Sequence, residues 1–225
     1  MNGAIGDVLP VAIGVAISPV PIIAVILLLL APRAKAASAA FAVGWVAGIV
    51  VTVVVVTVLA STVGLGASDG QPSTAGSWVK IGLGVLLLLL AAQQWRSRPA
   101  HREDAQLPGW MASMDRLTPA KALGLGLLLS VANPKNLLLG ASAGVAVGGA
   151  GLSTSQAAVT IAIYSVLAAS TVLLPAVGYA VASDRLQAPL DDLKTWLVEN
   201  NATVMSVLLL VLGVATVGKG IGGLH

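Results

Sequence analysis

Lys135 is the only formal charge deep inside any apolar stretch of this 225-residue chain, and it lies in Asn133-Pro134-Lys135-Asn136. A second interruption, Ser18-Pro19-Val20-Pro21, sits in the first apolar stretch. In both, a residue that caps helix N-termini well precedes a proline. Proline in a helix interior removes a hydrogen bond and clashes with the preceding turn, at about 3 kcal/mol or more. The penalty disappears where the helix restarts, because the first helical position needs no amide donor. Ser18 and Asn133 are therefore expected to be N-caps, with Pro19 and Pro134 opening second half-helices and Pro21 within the first turn. The carbonyls of Val15, Ile17 and Ser130 then lose their usual donors. Inside a bilayer such groups persist only against protein or water, so the two breaks are expected to line a cavity.

The chemistry this arrangement suits is anion binding. Half-helix N-termini present amides and positive dipole ends. An ammonium at the bilayer centre costs about 2.5–3.5 kcal/mol even on the lenient insertion scale. Its side chain reaches ~6 Å, whereas the midplane is about 15 Å from either interface, so snorkelling does not rescue it. No Asp or Glu lies at comparable depth, which leaves backbone carbonyls, Asn136, water or a substrate's anionic group as partners. The candidate substrate-binding residues are thus Ser18, Pro19, Pro21, Asn133, Pro134, Lys135 and Asn136.

The elements that position them follow from composition. Hydrophobic residues make up 57% and charged residues 9%, where a soluble domain carries roughly a quarter charged. Charge-free runs cover 8–32, 36–68, 81–95, 136–183 and 200–218. With 25 glycines and a mean hydropathy of +0.95, the expected fold is an all-α integral membrane protein. Barrels show short alternating segments instead. A span needs about 20 apolar residues, which predicts six at 8–31, 38–63, 77–95, 121–147, 154–181 and 200–220. The Gly148-to-Thr154 segment breaks the longest run into two helices. The N-terminus has no basic n-region, so the first run reads as a retained span.

Arg33 and Lys35, then Arg96, Arg98, Arg102 and Arg116, then Arg185 and Lys194 follow the first, third and fifth spans. Only Lys80 and Lys219 lie opposite, which places both termini outside a bacterial inner membrane. Trp78 and Trp95 bracket the third span as interfacial anchors. Trp110, Met114 and Leu117, and likewise Leu193, Trp196 and Leu197, suggest amphipathic helices on the inner surface.

An offset of 115 residues lays Ser18-Pro19 over Asn133-Pro134, with three spans between the motifs. That is the pattern of two inverted three-helix repeats with broken helices 1 and 4. The corresponding division is 1–95, a cytoplasmic linker at 96–120, and 121–225.

Other features have structural readings. Thr52, Thr57, Tyr164, Ser165, Ser170 and Thr171 are polar within spans, where hydroxyls commonly bond back along their own helix. Gly44 and Gly48, and Gly140, Gly144 and Gly148, form small faces for close helix packing, within a protomer or across a homodimer. Gly213 to Gly220 approaches a phosphate loop but ends in glycine where Ser or Thr should bind magnesium, and it follows no strand. Asn201-Ala202-Thr203 is a sequon on the inner face and reads as incidental. There is no cysteine, and His101 and His225 lie in a loop and at the last residue, so no metal or other cofactor is expected. Nor does a nucleophile–base pair suggest an enzyme, and the +3 net charge records orientation rather than nucleic-acid binding.

Together these residues resemble the lysine-exporter (LysE) superfamily of small membrane transporters over nearly the whole chain. Ile17 to Pro21 followed by Ala31-Pro32-Arg33-Ala34, with Ser130 to Asn136, is most similar to its GAP or Sap family, the glycopeptidolipid- and sulfolipid-addressing proteins. The resemblance implies a central transport region at the two motifs and export or translocation of an anionic envelope glycolipid. An amino-acid or small organic anion exporter is the alternative, although such exporters carry Pro-Gly-Pro where this chain has Pro19-Val20-Pro21. A non-transporting membrane scaffold, partnered with envelope-lipid biosynthesis or export proteins, is a third reading.

Overall fold

The computed structural model describes residues 1–32, 34–64, 73–98 and 117–224, with Gly109, Met111 and Met114 between them, and all their side chains except those of residues 180 and 182–185. Expectations resting on Arg33, His101, Arg102, Trp110, Arg116, His225 and the Arg185 side chain lie outside the described residues. Among the described residues all regular structure is helical: α1 (Asn2–Ala16), α2 (Pro19–Leu29), α3 (Ala34–Thr62), α4 (Thr74–Arg96), α5 (Pro119–Val131), α6 (Pro134–Gly148) and α7 (Thr154–Gly222).

The helices α4 to α7 begin where the sequence supplies a cap. Ser73 accepts from the Gly76 amide at the start of α4. Thr118 accepts from Lys121 ahead of Pro119 in α5. Ser153 and Gln156 form a reciprocal capping box on α7, after a turn in which Gly151 takes φ +60°. Four segments are long and apolar enough to cross a membrane: α3, α4, Thr154–Tyr179 and Leu186–Gly222. The pairs α1–α2 and α5–α6 qualify as bent units, with angles of 51° and 65° at their breaks. The chain is therefore a multi-pass helical membrane protein with four to six spans.

The end of the chain differs from expectation. Instead of two spans joined by a loop that carries a short amphipathic helix around Leu193-Trp196-Leu197, helical structure runs without interruption from Thr154 to Gly222. Straight, it would be about 100 Å long. It cannot be straight, because Thr171 donates to the Ala16 carbonyl at 2.6 Å while Leu208 and Leu212 crowd Gly14, two residues away on α1. The reversal lies between Gly178 and Leu186, since a β-carbon on Gly178 would meet Leu186 Cδ1 at 3.3 Å. Eight residues of straight helix, about 12 Å, would keep them apart. Helix propagation past the apolar run needs periodicity rather than hydropathy, and Leu186, Leu190 and Leu197 supply it. Leu190 and Leu197 are buried whereas Leu193 and Trp196 are exposed, so the expected Leu193-Trp196-Leu197 face is split between core and surface. Met114 is buried and Leu117 half-buried.

The glycine faces are used inside the protomer. Gly44 and Gly48 of α3 face α5, where added β-carbons would overlap the Leu123 carbonyl and the Ser130 side chain. Gly140, Gly144 and Gly148 of α6 face Thr52, Val56 and Thr57 of α3. The phosphate-loop decoy is a packing seam too, with Gly213 and Gly220 set against Leu88 and Ile81 of α4. Thus α3 packs on α5 and α6, and α4 on α7, so the N-terminal and C-terminal halves interlock.

Gly126 and Gly124 on α5 test this seam. A β-carbon on Gly126 would overlap the Phe41 carbonyl, whereas nothing lies within 4 Å of one on Gly124. Gly126→Ala is expected to cost about 1–3 kcal/mol of stability in detergent. Gly124→Ala should hold or raise it. Equal responses in denaturation midpoint would contradict the seam.

Candidate functional site

The two breaks meet. Ser18 and Asn133 occupy the N-cap positions of α2 and α6 in extended conformation, each followed by proline at the first helical position. Asn133 caps as expected, its Oδ1 accepting from the Lys135 amide at 3.0 Å. Ser18 does not cap its own helix. Its hydroxyl instead donates to Asn136 Oδ1 at 3.1 Å and accepts from the Lys135 ammonium. Lys135 Nζ also donates to the Gly14 carbonyl at 2.9 Å. A side chain from the first turn of α6 thereby closes the break between α1 and α2.

The backbone explains why these partners are available. Ser18 N–H turns to the Val15 carbonyl at 3.2 Å, which releases the Gly14 carbonyl that it would bond in a continuous helix. Val15, expected to be orphaned by Pro19, is satisfied in this way. The Ala16 carbonyl receives the Thr171 hydroxyl, and the Leu129 carbonyl receives the Asn136 amide at 3.4 Å. Thr171 thus bridges two elements, while Thr52 and Ser170 bond back along their own helices. The hydroxyls of Thr57 and Ser165 are buried without a partner.

Ser18, Lys135 and Asn136 are buried. Ser18, Pro19, Asn133, Pro134 and Lys135 line one cavity of about 230 Å³. Asn136 lies behind it, lining a chamber of about 10 Å³ with Ser130, Thr52 and Tyr164. Pro21 is buried within α2 and is not in the cavity wall. Three polar residues not expected from sequence complete that wall: Gln93 and Gln94 in the last turn of α4, and Asn201 of α7. Asn201 Oδ1 is buried without a partner. The Gln93-Gln94 pair just inside Trp95 was a usable signal; Asn201 was hidden in its sequon.

Helix dipoles contribute less than the sequence suggests. With prolines at 19 and 21, α2 offers only the Val20 amide in its first three positions. On α6, Pro134 has none and Asn133 takes that of Lys135, which leaves Asn136. The ammonium is the main positive group. It has three donors, of which Gly14 and Ser18 use two. Among the described residues no carboxylate pairs with it, and no group of His, Asp or Glu side chains could hold a metal ion.

A family model described as Sap, sulfolipid-1-addressing protein, matches residues 8–222. The chain belongs to that family. No curated protein and no solved structure matches it. Membership of the Sap family points to a role in handling envelope lipids in a membrane, and both breaks fall within the matched region. In this Sap-family protein the described residues facing the cavity are neutral apart from Lys135, which sets one positive charge among polar side chains.

The bridge predicts energetic coupling between the two motifs. A double-mutant cycle with Ser18→Ala and Asn136→Ala, read by reversible unfolding in mixed micelles, should give a coupling of about 0.6–1.7 kcal/mol. Additive losses would contradict the contact.

Proposed function

We propose that this Sap-family protein is an inner-membrane exporter or translocation protein that binds the anionic head group of an envelope lipid or glycolipid between its two broken spans. The observation that carries the reading is the third donor of Lys135, left over in a cavity that both breaks line. A sulfate, phosphate or carboxylate oxygen there completes the ammonium's hydrogen bonds and neutralises a charge costly at membrane depth. The Val20 amide and the Gln93, Gln94 and Asn201 side chains supply neutral polar contacts around it. At about 230 Å³ the cavity is below the roughly 300–1,000 Å³ typical of ligand pockets. That volume suits a head group whose tails remain outside. The same volume also suits a free small organic anion, which is the second reading.

In this proposal the bent pairs α1–α2 and α5–α6 are broken spans of two inverted three-helix repeats, as in the lysine-exporter superfamily, and the site lies near the midplane. Gln93 and Gln94 precede Trp95 and Arg96, so the cavity mouth faces the arginine-bearing, cytoplasmic side. Toward the other side Leu139, Leu208 and Leu212 close around Gly14. There the Lys219–Asp7 ion pair, at 2.6 Å, ties α7 to α1. Alternating access then consists of opening that leucine constriction while the mouth closes.

Efflux from proteoliposomes tests the head-group site. Lys135→Met protein that elutes and unfolds like the parent should lose transport of an anionic lipid by about tenfold or more, the effect of 1.4 kcal/mol. Lys135→Arg should retain part of it. Unchanged transport by Lys135→Met removes the anion site, and transport of a water-soluble organic anion with no lipid movement favours the second reading.

A further inference from the structure

Away from the polar cavity, a groove of about 920 Å³ runs between the C-terminal half of α3, the end of α6 and the first turns of α7. Its wall is built from residues such as Val50, Val54, Val58, Ile161 and Val166, and among the described residues it carries no formal charge. Val54, Val58 and Val166 are exposed on helices apolar enough to span a membrane, so the groove opens toward hydrocarbon. Water finds too few hydrogen-bond partners in such a space. Leaving it empty forfeits the dispersion contacts of its lining. An alkyl chain satisfies both conditions, and the volume lies within the range of ligand pockets.

The groove is also close to the site. Ile49 lines the small chamber beside Asn136 and its neighbour Val50 lines the groove. On α7, Tyr164 lines the chamber while Ile161 and Ser165, within one turn, line the groove. One layer of side chains, centred on Tyr164, separates the two. The unpartnered hydroxyls of Thr57 and Ser165 belong to the groove residues, where an ester or hydroxyl of an amphiphile supplies a partner after a rotamer change.

We infer that this groove is an acyl-chain site, which receives a tail of the amphiphile when the Tyr164 layer between it and the chamber beside Asn136 parts. The inference rests on the lipid reading above, and a neutral probe separates the two. Purified protein in proteoliposomes is photolysed with a diacylglycerol bearing a diazirine in its acyl tail, and adducts are mapped. Adducts should concentrate on residues 50–61 and 157–166. Ala158 and Ala162 are exposed groove positions that tolerate a large side chain, so Ala158→Trp and Ala162→Trp should each reduce labelling about tenfold.

Labelling that persists in Lys135→Met supports the groove independently of the anion site. Adducts spread evenly over other exposed positions such as Leu174 and Val214, or undiminished in both tryptophan variants, overturn it. Chain-to-chain cross-links through Ala158→Cys would assign the groove to a second copy and overturn it. So would labelling that appears only after residues 65–72 are replaced by a Gly-Ser linker, since the chain itself would then be the occupant. Loss of transport in Lys135→Met without groove adducts overturns the groove and leaves the head-group reading intact.

Discussion

A proline-interrupted helix in a bilayer releases carbonyls that water cannot reach, and this protein satisfies them with side chains from distant elements. Gly14 takes the Lys135 ammonium, Ala16 the Thr171 hydroxyl, and Leu129 the Asn136 amide. Each released acceptor would otherwise cost several kcal/mol in hydrocarbon. Two of the three donors come from the other half of the chain, so repairing the first break pins α1 and α2 to α6 and α7. The repair that most directly links the two breaks is also the one that leaves a free donor, because an ammonium has three protons and this break uses two. In the proposed function, structural necessity and anion affinity share one side chain.

Close approach of the helices makes that sharing geometrically feasible. Lys135 and Asn136 reach the Ser18 hydroxyl because α6 is drawn against α3 through Gly140, Gly144 and Gly148, and α5 through Gly126. A β-carbon at these positions would separate the backbones and lengthen contacts that are near 3 Å. In the proposed cycle, an anion competes with Gly14 and Ser18 for the ammonium. Moving one break relative to the other then exchanges partners instead of stranding a charge, and the ligand's differential affinity for the two arrangements drives the change.

Much of this was legible in the sequence because proline acts locally: a missing amide and a clash decide a break without reference to tertiary structure. Ser18-Pro19 and Asn133-Pro134 therefore located both breaks, and the depth of Lys135 singled out the group between them. The partners of the freed carbonyls were not legible, since nothing in Gly14 says which donor will reach its carbonyl and nothing in Thr171 says which carbonyl its hydroxyl will reach. The role of Ser18 was half seen: its position as N-cap held, but its hydroxyl serves Lys135 and Asn136 instead of its own helix. In residues 182–199 only the short amphipathic helix around Leu193-Trp196-Leu197 was read, whereas the helix runs through the whole segment on Leu186, Leu190 and Leu197 spacing without being apolar throughout. Gln93, Gln94 and Asn201 were invisible as a set, because α4 and α7 meet along a seam, set in part by Gly84, Gly213 and Gly220, that sequence does not pair.

The absence of native cysteine gives direct access to the claim that the two breaks touch. Ser18→Cys and Asn136→Cys, with a protease site engineered between α4 and α5, are oxidised in native membranes and cleaved. The account predicts that the halves stay joined on a non-reducing gel, directly or through a short bis-methanethiosulfonate cross-linker, and separate after reduction, as side chains that meet at 3.1 Å permit. Halves of folded protein that separate without reductant and that the short cross-linker also fails to join would contradict it.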